Sequence, residues 1–235
     1  MQKRLAFANG HGGNRKHDWA RKQRRRGIRC PVPHSTRGEV QERFPMHVTM
    51  RVREGLESLR GPRVFTVVRE ALARSKQGKR GTRWEEFRLH QFSVQSNHLH
   101  LVVEARDRVA LARGMQGLAV RMARALNRVW ERRGKVFAER YHALALRSAR
   151  QVRNALRYVI NNALKHGGRL VGNRPDPCSS GAWFDGWRRS GVQPGTTRSL
   201  AEPLCPVVAA RGFLLRVAWR RLGLLDPSEG PSGSL

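Results

Sequence analysis

The sequence is poor in cysteine, in acidic residues and in long apolar segments. Its 235 residues include three cysteines, Cys30, Cys178 and Cys205, which lie far apart and form no Cys-x-x-Cys pair. This spacing supports neither a disulfide framework nor a zinc ribbon, and it suits a reducing compartment. No apolar run reaches the length of a membrane span, and the first residues lack the apolar core of a signal peptide. We therefore expect a cytoplasmic protein with no membrane partner.

The shortage of acidic residues leaves a very large excess of positive charge. Lys and Arg total 47 against 17 Asp and Glu, which gives a formal net charge of +30. An excess of this size indicates a polyanionic partner, because each phosphate that a protein neutralises releases condensed counterions. Charge alone does not separate DNA from RNA, since a ribosomal protein would have a similar composition. The Gly-rich loop with Lys that binds nucleotide phosphates is also missing, so no use of ATP is expected.

Composition divides the chain into three parts. Residues 1–43 are polar, Gly-rich and basic, and we expect a flexible arm that is either solvated or in contact with nucleic acid. Residues 44–168 have the apolar periodicity of a folded domain, which we interpret as the catalytic domain. Residues 169–235 are rich in Pro, Gly and Ser and are expected to form an accessory C-terminal segment that docks on the domain or on nucleic acid.

The apolar periodicity of the central part predicts an α+β, ferredoxin-like fold. Strands are expected at residues 46–53, 84–94, 98–104 and 141–146. Helices are expected from Pro62, at residues 107–133, and from Ser148 to His166. This order is the βαββαβ plan with an antiparallel sheet, followed by an added helix that carries a tyrosine. In that plan the first and third strands lie side by side at the centre of the sheet.

Two histidines in the third predicted strand are candidate metal ligands. His98 and His100 are two residues apart, so both imidazoles point to the same face of the sheet, where they could hold one divalent metal. In a chain with nine histidines such a pair also arises by chance, and the alternative is two surface histidines. The polar face of the first strand, which would lie beside the pair, consists of His47, Thr49, Arg51 and Arg53. Arginines beside a metal on an open sheet face are typical of a phosphate site.

The chain has only two tyrosines, so a tyrosine nucleophile is a choice between Tyr141 and Tyr158. Tyr158 lies in the last predicted helix of the domain, and Asn162, four residues later, shares its helix face. The alternative for this pair is a tyrosine at the margin of the core and a solvated asparagine. Tyr141 lies in the predicted fourth strand next to Arg140, and its expected role is packing or DNA contact.

At these positions the residues resemble those of a known family. The run SNHLHLVV at residues 96–103 resembles the HUH strand of the single-tyrosine transposases, and LRYVINNALKHG at residues 156–167 resembles their tyrosine helix. The run GKVFAERY at residues 134–141 is similar to the family's segment leading into the fourth strand. The resemblance covers about residues 44–168 and is closest to the insertion-sequence-200-like and REP-associated tyrosine transposases. One departure is Ala163, where the family usually has proline.

The resemblance implies an enzyme that cleaves and rejoins single-stranded DNA through a 5′-phosphotyrosine. It implies that His98 and His100 bind Mg²⁺ or Mn²⁺, that Asn162 is the third ligand and that Tyr158 attacks the phosphate. The implied partner is single-stranded or hairpin DNA, in a bacterial, nucleoid-associated setting. Family members occur both as monomers and as dimers that exchange the tyrosine helix, so a homodimer is among the expected states.

DNA contacts are expected from a set of basic residues, which comprises His47, Arg51, Arg53, Arg121, Arg124, Arg128 and Arg140. Two other functions stay open at this point. The first is a non-catalytic, domesticated nucleic-acid-binding protein of the same fold, which would not need the histidine pair, Tyr158 and Asn162 together. The second is a nickase of the relaxase or replication-initiator kind, in which the tyrosine helix is placed differently relative to the sheet.

Overall fold

A computed structural model describes residues 40–74, 86–165, 174–188 and 197–230 of the chain, and all of them belong to one compact unit. The predicted arm lies almost wholly outside these ranges, so it stays a prediction, as do the boundaries of the other two parts. None of the helices in the described ranges has the length and apolar character needed to cross a bilayer.

Four strands and three main helices follow one another in the predicted order. The strands are β1 (Met46–Arg51), β2 (Phe87–Val94), β3 (His98–Ala105) and β4 (His142–Ala145). The helices are α1 (Pro62–Ala73), α2 (Arg108–Val129), α3 (Ala149–Ile160) and the short α4 (Asn162–Lys165) and α5 (Phe213–Arg216). The sheet order is β2-β3-β1-β4 and every neighbouring pair is antiparallel, which confirms the ferredoxin-like α+β prediction.

One face of the sheet packs against α1 and α2. Odd-numbered residues of β3, such as Leu99 and Leu101, are fully buried in this core together with apolar residues of both helices. Helix α2 lies very close to β2, because a side chain at Gly114 would overlap the ring of Phe87. Burial of this face accounts for most of the apolar core that the sequence periodicity predicts.

The opposite face of the sheet is covered by α3 and by the segment after residue 174. Val102 of β3 packs here with Leu156 of α3 and Trp219 of the C-terminal segment. Trp219 lies in a 3₁₀ turn (Ala218–Leu222) that follows α5 and is among the largest fully buried side chains. The described part of the C-terminal segment therefore docks on the domain and helps to form its second core.

Helix α2 ends four residues earlier than the sequence predicts. Trp130 has left the helical conformation and Glu131 has a positive φ of 50°. The cause is Asn127, whose amide nitrogen donates to the carbonyl of Gly134 at 2.9 Å, while its side-chain oxygen accepts from Arg132 at 3.0 Å. These bonds fold the chain back after Val129, and a polar side chain that bonds the backbone in this way competes with helix.

The helix that carries Tyr158 begins where predicted and is interrupted before its predicted end. Ser148 Oγ accepts from the backbone N–H of Gln151 at 3.2 Å, so Ser148 caps the helix at its predicted start. At the other end Asn161 leaves the helical conformation, with φ −96° and ψ 18°. Its amide nitrogen donates to the carbonyls of Asp226 and Glu229, both at 2.9 Å. A bond to the C-terminal segment therefore divides the predicted helix into α3 and α4.

Candidate active site

The two histidines of the predicted metal pair lie side by side on the face of the sheet covered by α3. The Nε2 atoms of His98 and His100 are 3.0 Å apart, and their ring centroids are 4.7 Å apart at nearly a right angle. Two nitrogens bound to one ion at about 2.1 Å each, in directions about 90° apart, would be separated by about the same distance. The spacing of the pair therefore fits a shared cation.

Two residues of β1 lie close to Nδ1 of His100, the ring nitrogen that does not face His98. Thr49 is directly opposite His100 in the antiparallel register, and its Oγ1 lies 3.2 Å from His100 Nδ1. His47 Nε2 lies 3.2 Å from the same nitrogen, and the two rings stack with centroids 5.2 Å apart. Burial, together with the nearby His142, lowers the pKa of His47 to about 4, so His47 is neutral at pH 7.

Tyr158 projects from α3 onto this histidine cluster. Its ring centroid lies 5.0 Å from that of His100 and 5.9 Å from that of His47, edge to face in both cases. Val159 and Leu156 of the same helix are buried in the second core and fix the rotation of α3 about its axis. Tyr158 itself is half-buried, so the helix presents a phenol at the margin of the core, next to the predicted metal pair.

Asn162, the predicted third ligand, is fully buried, with 0% of its surface exposed. Neither its amide oxygen nor its amide nitrogen has a hydrogen-bond partner among the described residues. A buried amide that lacks both partners costs roughly 1–3 kcal/mol unless another group binds it, and a cation would bind the oxygen. Among the described residues no group of three His, Cys, Asp or Glu side chains is arranged to hold a metal. Asn162 is therefore the amide that the resemblance adds to the histidine pair as a candidate ligand.

Of the predicted DNA-contacting residues, those of β1 lie at the site. Arg51 is exposed and directly opposite His98 in the register, and His47 lies within the histidine cluster. Arg53 is exposed just beyond the end of β1, and Arg140 is exposed just before β4. Arg51 thus places a positive charge beside His98, which suits a phosphate.

The predicted arginines of α2 lie on the other side of the sheet from the histidine pair, because α2 packs on the opposite face. Arg124 and Arg128 are exposed there. Arg121 is half-buried, its Nε and one terminal nitrogen are shielded from solvent, and desolvation lowers its pKa. The structure therefore separates these three residues from the candidate active site.

Two residues of the site were missed by the sequence analysis. His142 of β4 is directly opposite Thr49, and Asn97 Oδ1 lies 2.8 Å from His98 Nδ1. The only sequence signal for His142 is its place in the short alternating strand, and its meaning depends on the pairing of β4 with β1. Asn97 precedes the histidine motif directly, but a residue in a turn gives no indication of where its side chain points.

Comparison with known proteins gives a family for the central part of the chain. Residues 64–162, a span that includes the histidine pair, Tyr158 and Asn162, match the family model "Transposase IS200 like". A solved structure of a REP-associated tyrosine transposase bound to a REP hairpin is similar at 15% identity, covering 63% of this chain and 82% of that one. The TM-score between the two chains is 0.49. No curated protein matches the sequence. The family match over residues 64–162 supports the superfamily of single-tyrosine HUH transposases that the motifs of the chain resemble.

Proposed function

We propose that this transposase cleaves and rejoins single-stranded DNA through a covalent bond between Tyr158 and a 5′-phosphate. The observation that carries the proposal is the packing of the Tyr158 ring on His100, 5.0 Å between centroids, while His100 faces His98 at 3.0 Å. The fold thereby brings Tyr158 next to the two histidines, although His100 precedes it by 58 residues in the sequence.

In the proposed reaction, Tyr158 Oη forms a bond to phosphorus and the bond from phosphorus to the 3′ oxygen breaks. The leaving 3′ oxygen takes up a proton and the phenol loses one, so the products are a 3′-hydroxyl and a 5′-phosphotyrosine. The phosphotyrosine retains the energy of the phosphodiester, so a 3′-hydroxyl of another strand reverses the step without ATP. Fixing the phenol against the sheet by α3 contributes orientation.

The proposed metal ligands are His98, His100 and Asn162, and the proposed ion is Mg²⁺ or Mn²⁺. The paired imidazole nitrogens and the orphaned buried amide of Asn162 support this set. Members of the superfamily generally use a divalent metal. A cation bound there would polarise the scissile phosphate and stabilise the charge that develops on its oxygens.

The proposed partner is single-stranded or hairpin DNA, as the resemblance implies, and the proposed place of action is the bacterial nucleoid. The net charge of +30 and the exposed Arg51, Arg53 and Arg140 around the site support a phosphate backbone as ligand. We also propose that α3 serves the histidines of its own chain, whether or not two chains associate. Bonds from α3 to residues 223–229 of the same chain support this arrangement.

The decisive experiment is a cleavage assay on labelled single-stranded hairpin DNA with Mn²⁺ or Mg²⁺, read on a denaturing protein gel. The parent is compared with Tyr158→Phe, and Tyr141→Phe is the matched control because it removes the only other phenol. A metal-dependent protein–DNA adduct that disappears only in Tyr158→Phe is the expected result. If a broad hairpin library gives no adduct while salt-sensitive binding persists, the non-catalytic function replaces this one. An adduct lost only in Tyr141→Phe would identify the other tyrosine as the nucleophile.

A further inference from the structure

The histidine pair can bind a cation only if the lone pairs of both Nε2 atoms are available. A neutral imidazole carries one N–H, so the group opposite Nδ1 decides which nitrogen keeps its lone pair. An acceptor at Nδ1 holds the proton there and leaves Nε2 to bind metal, and such partners also fix the orientation of the ring. The partners of the two Nδ1 atoms therefore determine whether this pair is a ligand set.

Each of these Nδ1 atoms has an oxygen beside it. Asn97 Oδ1 lies 2.8 Å from His98 Nδ1, and Thr49 Oγ1 lies 3.2 Å from His100 Nδ1. The pairing of β1 with β3 fixes the second contact, because it places Thr49 directly opposite His100. His100 is only 5% exposed, so its contact with Thr49 is shielded from water, whereas Asn97 is exposed. The contact of Thr49 is therefore the longer but the better shielded of the two.

We propose that Thr49 is a positioning residue of the metal site, whose hydroxyl accepts the Nδ1 proton of His100 and so presents the His100 Nε2 lone pair to the cation. Asn97 does the same for His98 from the solvent side. Both residues act through the rings and touch neither DNA nor metal. The inference rests on the proposed function, because it assigns a role relative to the metal ligands named there.

The contribution of His47 at the same nitrogen does not replace that of Thr49. His47 Nε2 is also 3.2 Å from His100 Nδ1, but its ring is stacked at an interplanar angle of 20°. A nitrogen in a stacked ring is poorly aligned to accept in the plane of the other imidazole, whereas a hydroxyl rotates to suit its partner. Removal of the Thr49 hydroxyl should therefore change the tautomer of His100 although His47 is still present.

The test measures Mn²⁺ binding to the full chain without DNA. Thr49→Val keeps the branched shape and removes the hydroxyl, and it is expected to weaken Mn²⁺ binding about tenfold or more. Thr49→Ser keeps the hydroxyl and is expected to bind within about threefold of the parent. Asn97→Leu and Asn97→Asp form a second matched pair at an exposed position where folding is not at risk. His100→Ala identifies the site and is expected to lose Mn²⁺ binding.

A second measurement reports the tautomer of the His100 imidazole. ¹⁵N chemical shifts of His100, recorded without metal, are expected to report the Nδ1–H tautomer in the parent and in Thr49→Ser, and a shift toward Nε2–H in Thr49→Val. A purely structural residue would leave this ratio unchanged. If His100→Ala loses Mn²⁺ but Thr49→Val binds like the parent with an unchanged tautomer, the role of Thr49 is overturned and the proposed function stands. If the parent binds no Mn²⁺, or His100→Ala binds as well as the parent, the metal site itself is overturned.

Discussion

Strand β3 presents two polar clusters on one face of the sheet, and they differ in how they are completed. Near the start of the strand lie His98 and His100, next to Tyr158 of α3. Near its end lies Glu104, only 6% exposed. Val102 separates the two clusters and packs beneath α3 in the second core. The two clusters therefore share a strand and a face of the sheet, but Tyr158 of α3 contacts the first and residues 211–212 contact the second.

At Glu104, other groups of the chain supply hydrogen bonds and opposite charge to the carboxylate. Its carboxylate accepts from the backbone N–H groups of Gly212 at 2.7 Å and Arg211 at 3.2 Å. His90 Nε2 lies 2.9 Å away, and the guanidinium of Arg88 lies at 3.8 Å. Burial would raise the pKa of Glu104, but the hydrogen bond and charge of His90 and the two backbone N–H groups lower it overall. This cluster fixes the C-terminal segment to the sheet.

The cluster at the histidine pair is completed differently. The Nε2 atoms of His98 and His100 lie 3.0 Å apart, and His47 and Thr49 lie beside Nδ1 of His100. Donor atoms gathered without an opposite charge suit a cation supplied from outside. A buried carboxylate that accepts from backbone N–H groups ties segments of the fold together, whereas neighbouring imidazole nitrogens suit a metal ion.

The largest effect is expected from breaking the histidine cluster. His100→Ala should lower the rate of adduct formation about a hundredfold or more, because it removes a ligand and with it the charge stabilisation at the phosphate. The melting temperature should change little in comparison. Asn162→Ala should also lower the rate and should leave stability intact or improve it, since it removes an unsatisfied buried amide. Gel assays of the adduct, paired with thermal unfolding, check both expectations, and a large loss of stability in His100→Ala would contradict them.

The reverse outcome is expected from breaking the Glu104 cluster. Glu104→Gln should lower the free energy of unfolding by about 2–3 kcal/mol, because it removes the charge that buried partners require. The fraction that remains folded should still form the adduct. Glu202→Gln is the matched control, since its ion pair with Arg198 is exposed at 3.7 Å and should contribute less than about 1 kcal/mol. Urea unfolding measures both, and equal losses in the two variants would refute the distinction.

Acid should weaken the Glu104 cluster selectively. The pKa of Glu104 is lowered in the folded state, so its contribution to stability is complete above its ordinary pKa of 4.5 and is lost as pH falls below that value. The parent should therefore lose more stability between pH 6 and pH 3 than Glu104→Gln does, as followed by urea unfolding at each pH. Identical pH profiles in the two proteins would show that protonation of Glu104 does not cause the loss of stability in acid.

A smaller effect is expected at the helix that carries the nucleophile. Glu229 accepts from Arg153 at 2.9 Å and from Arg157 at 3.3 Å, and it is partly exposed. Glu229→Gln should cost about 1 kcal/mol of stability and should slow the adduct only severalfold, because Asn161 still bonds residues 226 and 229. Time courses of adduct formation at saturating DNA would detect the slower rate. A loss as large as that of His100→Ala would mean that Glu229 acts in the chemistry.

The smallest effect is expected from single basic residues. Arg51→Gln should reduce the slope of log K against log salt for hairpin DNA by about 1, since it removes one phosphate contact. Arg124→Gln, on the opposite face of the sheet, should leave that slope nearly unchanged. Binding measured by fluorescence anisotropy at several salt concentrations separates the two. Equal slopes in both variants would indicate that DNA also runs over α2.

The order of the strands along the chain and the shared face of His98 and His100 could be predicted from the sequence, because both follow from local periodicity. Alternation in β3 places His98 and His100 on one face, and the structure confirms that they lie together. Periodicity does not show where side chains bond to distant backbone. The break at Asn161 depends on residues more than sixty positions later, and the early end of α2 depends on Asn127 and the loop after it. Thr49 acquires its place opposite His100 only from the register of two strands.

The ties between α3 and the loop at residues 223–229 have a consequence for synthesis of the chain. Both histidines and Tyr158 leave the ribosome before that loop does, because translation proceeds from the N-terminus. Until residue 229 emerges, α3 lacks the bonds that Arg153 and Asn161 make to the loop. A nascent chain of this transposase therefore holds all its proposed reactive groups before their helix is secured. The bonds that tie the helix of Tyr158 to this loop are thus among the last to form during synthesis.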